Sequence, residues 1–315
     1  MVRIFFRRLL LTESLVYVAI LGGLRACCPV VPLPATAVAL LLWALLWRLL
    51  QTLINLGLSH LRRSLQRPPL SAYGWLRLYW AEWSSAQRLY QVWQLRKAAI
   101  RYPPPGQASA PPLILVHGFA SNNGFWAYAA RQLGQFYPGW IYVPELDPMY
   151  PSMDAAAAQI SDVAHRARAQ SRQENVIVMG HSMGGVAALQ YARHEHWRGI
   201  GHVVCLGAPF AGTRLADLPV IRRFAPARPD SDLHQRLGAA LDSGACAGRP
   251  ITNIWSWHDT IVAPQYNSHI AGVQNVVLSG VGHLEMAFSP AILDLLATTL
   301  VSVNQKTGDP VDDNN

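Results

Sequence analysis

Negative charge is nearly missing from the first 110 residues of this 315-residue chain: Glu13 and Glu82 are the only acids there, against thirteen Lys and Arg, twelve of them Arg. The rest of the chain holds slightly more acid than base, so the net charge of +8 belongs to the front third. Charge of either sign is scarce throughout, at 14% of residues where a soluble domain carries about 25%. That shortage, with 51% hydrophobic residues, points to a membrane. The arginines flank apolar runs and accompany no nucleic-acid-binding motif, so anionic lipid head groups are the expected partner and nucleic acid is not. Cysteine is also too sparse for a disulfide framework: Cys27 and Cys28 are adjacent in an apolar segment, Cys205 lies in a predicted strand and Cys246 in a predicted loop. No second ligand stands at metal spacing from His117, and no metal or cofactor is expected.

Two apolar runs, 9–24 and 30–47, stand close together, and a bilayer core asks for about 20 apolar residues in a helix. They read as a transmembrane hairpin. Trp43 and Trp47 beside Arg48 suit the end of a span, and Leu49, Leu50, Leu53, Ile54, Leu61 and Leu65 form one stripe, so 48–66 reads as an extension lying at the interface. Arg3, Arg7 and Arg8 precede the hairpin and Arg62, Arg63 and Arg67 follow it, with Arg25 alone in the turn. The positive-inside rule then puts both ends, and the catalytic part, on the cytoplasmic side of a bacterial inner membrane. A cleaved secretory signal is the competing reading, but Arg25 is misplaced for one, no A-x-A site occurs, and a second, longer apolar run follows. Residues 71–100 alternate aromatics with arginines, and could form a helix seated in head groups or one packed on the catalytic domain. A Pro-rich linker follows at 101–112. The expected divisions are therefore 1–66 (hairpin and interfacial helix), 67–110 (juxtamembrane helix and linker), 111–303 (catalytic domain, with a lid-like insertion at 211–250) and 304–315 (disordered tail).

From 111 onward short apolar runs at 113–118, 141–146, 175–180, 202–209, 251–259 and 275–283 alternate with helical patterns. Strands without period-two alternation, separated by helices, predict an α/β fold with a mostly parallel sheet covered on both faces. In such sheets chemistry gathers at the carboxyl ends of the strands.

One strand end carries Gly180-His181-Ser182-Met183-Gly184 followed by a helix of small residues. A serine on a strand-to-helix elbow needs glycines where flanking side chains would clash, and the helix start aims N–H groups at it. Ser182 is thus the candidate nucleophile. It needs a base and the base needs a carboxylate. His283 and Asp259 each follow a later strand and are the candidates, with His269 the runner-up base and Asp217 and Asp242 read as solvated charges. Backbone N–H groups of Phe119 and Met183 are the candidate oxyanion donors. In the 211–250 insertion, Leu233, Leu237 and Leu241 at helical spacing, with Val220, Ile221 and Phe224, fit a lid stripe.

Together "LILVHGF", "GHSMGG", "LGAPFAGTRLAD", "WSWHDTIVAP" and "SGVGHLEM" resemble the α/β-hydrolase superfamily, in its lipase and esterase branch. The resemblance covers 111 to about 302 and implies ester hydrolysis through an acyl-enzyme on Ser182, with His283 as base then acid and Asp259 as its orienter. The expected substrate is a lipid or other ester. An acyltransferase or thioesterase with the same three residues, or a catalytically dead membrane scaffold, are the alternatives. The chain departs from secreted lipases in lacking a clean signal peptide and a paired-aspartate calcium site.

Overall fold

A computed structural model describes residues 2–27, 32–96, 109–147, 152–217, 228, 231–242, 244 and 246–308. Six strands form one sheet: β1 (Leu113–Val116), β2 (Ile141–Tyr142), β3 (Val176–His181), β4 (Ile200–Leu206), β5 (Ile251–Ser256) and β6 (Gln274–Leu278). Their order is β2-β1-β3-β4-β5-β6, and every neighbouring pair is parallel. Strands β1, β2, β3 and β5 are buried on both faces, which is why most of them read as apolar runs, while β6 at the sheet edge is partly exposed. Ile114, Val116, Val178, Val203 and Cys205 point into one core layer, and Leu113, Leu115, Ile177, Met179, Val204 and Leu206 into the other. From β1 the chain moves outward to β2, then returns to β3 on the other side of β1. The carboxyl ends of β1 and β3 therefore flank the point where strand order reverses, the place such sheets bind ligands.

Of the helices on this body, α5 (Met153–Ser171) and α6 (Met183–His194) supply the first layer, while α4 (Ala127–Leu133) and α8 (Pro290–Gly308) supply the second. Helix α8 includes residues up to Gly308, so the first residues of the stretch 304–315 read as a tail are helical. In the expected lid, α7 (Asp232–Asp242) buries Leu237 and Leu241 against the first layer. Val220, Ile221, Phe224 and the side chain of Leu233 lie outside the described residues, as do residues 101–108 of the linker and 309–315 of the tail.

The front third is two helices, α1 (Val2–Cys27) and α2 (Leu33–Leu61), antiparallel neighbours joined across 28–32. Stretches 7–27 and 33–61 are long and apolar enough to cross a membrane, by length and composition. At 1.5 Å per residue, the 29 residues of α2 extend about 13 Å beyond a hydrocarbon core of about 30 Å. The extension read at 48–66 is the continuation of this one helix as far as Leu61. Its surface is inverted: Thr52, Leu56 and Ser59 are buried against the hydrolase body, while Leu53 and Leu61 are 57% and 78% exposed. A helix that shows apolar side chains outward and buries hydroxyls inward suits a lipid surround. The Ser59 hydroxyl donates to the carbonyl of Asp259 (2.7 Å), and Gln265 accepts from the Ser64 N–H (3.0 Å). At the same open end of the hairpin, Arg3 at the start of α1 pairs with Glu145 (2.9 Å). Within the hairpin Glu13 pairs with Arg48, which satisfies an acid inside an otherwise apolar run.

Of the two readings open for residues 71–100, packing on the body is what the chain does. Ser71 caps α3 (Ala72–Gln91) by accepting from the Gly74 N–H (3.1 Å), and Leu78, Glu82, Ser85 and Leu89 are buried on one face. Leu89 joins the second core layer. Tyr73, Leu76 and Trp80 remain exposed on the other. If α3 is a packed wall of the body, Leu89→Ala destabilises the protein by about 2–5 kcal/mol, read as a clear fall in Tm of detergent-solubilised protein. A helix lying on lipid would leave Tm unchanged.

Candidate active site

The elbow that the sequence marks is strained as expected. Ser182 has φ 56° and ψ −130°, outside the regions an L-residue favours, and it caps α6 between two backbone bonds: its N–H donates to Leu206 (2.9 Å) and its carbonyl accepts from Gly185 (2.9 Å). The glycines around it are required by contact. A Cβ on Gly180 would sit 2.2 Å from the carbonyl oxygen of Gly184, and one on Gly184 would sit 2.4 Å from that of Val116. The start of α6 is thereby pressed onto the end of β1. By helix geometry the Met183 N–H, first of the helix, has no intrahelical partner and is left free at the positive end of the helix dipole.

The loop after β1 lies against the serine, since a Cβ on Gly118 would come within 2.8 Å of the Ser182 Cβ. Phe119 follows it and packs on the first core layer. His117 shapes this loop. Its Nε2 accepts from the Leu146 N–H (3.1 Å), so its Nδ1 carries the proton and donates to Gly118 (2.9 Å). Burial lowers its pKa, and it stays neutral.

Asp259 and His283 meet after the ends of β5 and β6. His283 Nδ1 lies 2.8 Å from Asp259 Oδ2, and both residues are almost wholly buried. The other oxygen, Oδ1, accepts from the N–H groups of Ile261 (2.8 Å) and Val262 (2.7 Å), which fixes the carboxylate. Burial alone would lower the pKa of His283, but the charge of Asp259, the hydrogen bond to it and the charge of Glu82 outweigh burial and raise it. Gly207, at φ +57°, joins this pair to the elbow: a Cβ there would be 3.3 Å from Asp259 Oδ2 and 3.4 Å from His283 Nδ1, and the preceding residue, Leu206, is the one that holds the Ser182 N–H. Among the described residues the Ser182 hydroxyl and the His283 imidazole share no hydrogen bond. In unliganded sites of this kind that bond is often long and tightens with substrate.

The alternative candidates stand elsewhere. His269 stacks on Tyr266 at 4.7 Å, with Trp255 at its edge. Asp217 pairs with Arg228 (3.2 Å) and Arg62 (3.6 Å), and the side chain of Asp242 lies outside the described residues. His202, in the run 202–209 read as a strand, is inside β4 beside Thr252 (2.9 Å). No cluster of three metal-binding side chains occurs among the described residues.

Three neighbours escaped the sequence reading. His181 stacks on Phe125 (4.2 Å), and its Nε2 lies 3.1 Å from the His283 carbonyl oxygen. Burial and the adjacent His283 hold its pKa well below that of a free imidazole, so it serves as a neutral donor. Thr260, next to Asp259, lies 3.4 Å from the His283 N–H, which donates to its hydroxyl. The third, Glu82, comes from α3, and Thr260, Leu284 and Glu285 all donate to its carboxylate. Its only trace in the sequence is that it is one of two acids in a basic region.

Known proteins share this fold. Residues 113–312 match a model of the alpha/beta hydrolase family. In sequence, the chain is 31% identical to Lipase 1 of Psychrobacter immobilis over 93 residues, 28% of each protein. It is 28% identical over 108 residues to a probable 1-acylglycerol-3-phosphate O-acyltransferase of Oryza sativa subsp. japonica, covering 32% of this chain and 26% of that one. The chain thus spans only about a quarter of the length of these relatives. In structure, the mature Bacillus licheniformis lipase BlEst2 superposes with a TM-score of 0.51 at 15% identity, over 65% of this chain and 99% of that one. Aspergillus fumigatus lipase B gives a TM-score of 0.51 at 18% identity, over 64% and 56%. The parallel sheet, the strained serine at its switch point and this match over most of the chain make the protein a member of the alpha/beta hydrolase family.

Proposed function

We propose that the protein is a membrane-anchored serine esterase acting on lipid esters. The observation that carries this reading is the buried Asp259–His283 pair at the same sheet edge as the strained Ser182. In the proposed reaction the Ser182 hydroxyl attacks the ester carbonyl carbon as its proton passes to His283 Nε2. Asp259 keeps the Nδ1–H facing inward and stabilises the imidazolium. Charge on the carbonyl oxygen is met by the N–H groups of Phe119 and Met183, each such donor contributing about 3 kcal/mol. Collapse of the tetrahedral species breaks the ester C–O bond, and the departing alcohol takes the proton from His283. Water then attacks the acyl-enzyme, His283 takes its proton, and acid and free Ser182 are released.

The lipid assignment rests on the front third. Two helices suited to a bilayer have their Arg3 and Arg62 ends attached to the hydrolase body. Those are also the Arg-rich ends, which under the positive-inside rule supports a cytoplasmic side for the body. An enzyme held there meets lipid esters by diffusion in two dimensions. The second reading, acyl transfer to an alcohol instead of water, uses the same residues. It is favoured by the likeness to 1-acylglycerol-3-phosphate O-acyltransferases of rice and Arabidopsis thaliana.

A fluorophosphonate probe is expected to label wild-type protein and not Ser182→Ala, and labelling that persists in the variant rejects the nucleophile. Supplying a lysophospholipid alongside the acyl donor separates the readings: free fatty acid as the main product means hydrolysis, and a diacyl product means transfer. Because His283 must be neutral to act and its pKa is raised, kcat/KM for a soluble p-nitrophenyl ester should fall on acidification at a higher pH than an ordinary histidine would give. An acid limb at or below the ordinary histidine value removes His283 as the base. For the anchor, the protein should remain in membranes through an alkaline carbonate wash. In right-side-out spheroplasts its body should resist added protease and be cut only after lysis.

A further inference from the structure

Glu82 is an acid that α3 carries into the interior, 4% exposed, in a region outside the family-matched 113–312. Its two oxygens collect donors from both loops that form the Asp259–His283 pair. The Thr260 hydroxyl donates to Oε1. The Leu284 N–H reaches both oxygens (3.1 and 3.0 Å), and the Glu285 N–H reaches Oε2 (3.0 Å). Thr260 in turn receives the His283 N–H (3.4 Å). The approach needs a glycine next to His283, because a Cβ on Gly282 would be 2.3 Å from Glu82 Oε2. One turn earlier on α3, Arg77 donates to Glu285 Oε1 (2.8 Å) and the Gly280 carbonyl (2.7 Å), gripping the same loop.

We propose that Glu82 is a positioning residue for His283: its carboxylate bridges the loop after β5 to the loop after β6 and so fixes where the imidazole stands. This rests on the reading of His283 as the base. It would make the helix next to the membrane anchor part of the machinery that the hydrolase body alone does not contain. The arrangement has an electrostatic side as well. Burial pushes the Glu82 carboxyl upward, while the Thr260 hydroxyl, the Leu284 N–H, the charge of His283 and the Glu285 N–H favour the carboxylate. His283 faces Asp259, Glu82 and neutral His181. Glu82 faces His283, the Arg77–Glu285 pair and Tyr90, whose phenol is pushed up to about 12 by burial and by Glu82. The Arg48–Glu13 pair lies across a cavity of about 420 Å³ that Glu82 also lines. Removing the Glu82 charge therefore takes away one of the groups that favour imidazolium.

The test uses full-length protein in nanodiscs, with kcat and KM for a p-nitrophenyl ester measured against pH in wild type, Glu82→Asp, Glu82→Gln and Thr260→Val. For Glu82→Gln we expect kcat to fall about tenfold or more, as misplacement of a reacting group does, with KM little changed and the acid limb moved to lower pH. Glu82→Asp, which keeps the charge, should hold the limb near wild type and recover part of kcat. A folded Glu82→Gln with wild-type kcat and limb overturns the proposal, as does a loss of kcat with the limb unmoved. If Glu82→Gln does not fold, Thr260→Val decides: a limb shifted to lower pH supports the bridge and an unshifted limb overturns it. Fluorophosphonate labelling of Ser182→Ala is the control. Loss of labelling there with wild-type behaviour of the Glu82 and Thr260 variants defeats only the positioning role, whereas labelling that survives defeats the esterase reading itself.

Discussion

Everything at the proposed site depends on one hydrogen bond, from His283 Nδ1 to Asp259 Oδ2 at 2.8 Å, held almost entirely out of water. A carboxylate buried this far is costly unless its oxygens are occupied. Asp259 meets that condition with the Ile261 and Val262 N–H groups on one oxygen and the imidazole on the other. Because both oxygens are taken, the carboxylate cannot rotate. The imidazole is therefore held in a single tautomer, with Nδ1 protonated towards Asp259 and Nε2 left as the basic nitrogen. Gly207 permits the pair to sit beside the elbow, since any side chain there would enter the space of Asp259 and His283.

The elbow is governed by a constraint of a different kind, crowding of main chain against main chain. Gly180 and Gly184 bring the start of α6 onto the end of β1, within distances that forbid a Cβ. Strain of about 1–3 kcal/mol at Ser182 persists because its N–H and carbonyl are fixed by Leu206 and Gly185. Two core layers hold that geometry from either side of the sheet. The front third adds to it. Helix α3 closes the second layer through Leu89, and the end of α2 reaches the carbonyl of Asp259 through Ser59. The front helices and the hydrolase body thus meet at the loops that carry the pair.

Most strands were legible because burial on both faces makes them largely apolar, and the helices between them by their 3.6-residue pattern. Ser182 was legible because its neighbours must be glycine for a local reason. Helix ends and helix partners were less so. The extension read at 48–66 as lying at the interface instead packs one face on the hydrolase body, since nothing in the local pattern distinguishes lipid from protein as the cover of a helix face. Likewise the aromatic and basic stretch at 71–91 has the amphipathicity of a lipid-bound helix, although its buried face meets protein. Amphipathicity encodes that a face is covered and not by what.

By itself the sequence determined the parallel α/β sheet, the glycine elbow, the two bilayer-length apolar helices and the order of Ser182, Asp259 and His283, because each of these is written in spacing along the chain. Only the tertiary structure decided that His181, Thr260 and Glu82 surround His283, and that the carboxylate of Glu82 arrives from a helix some 200 residues earlier. Local pattern constrains which residues share a strand or a helix face. The direction from which a distant buried charge finds its donors is set by how those elements pack, and a lone glutamate among arginines carries no record of it.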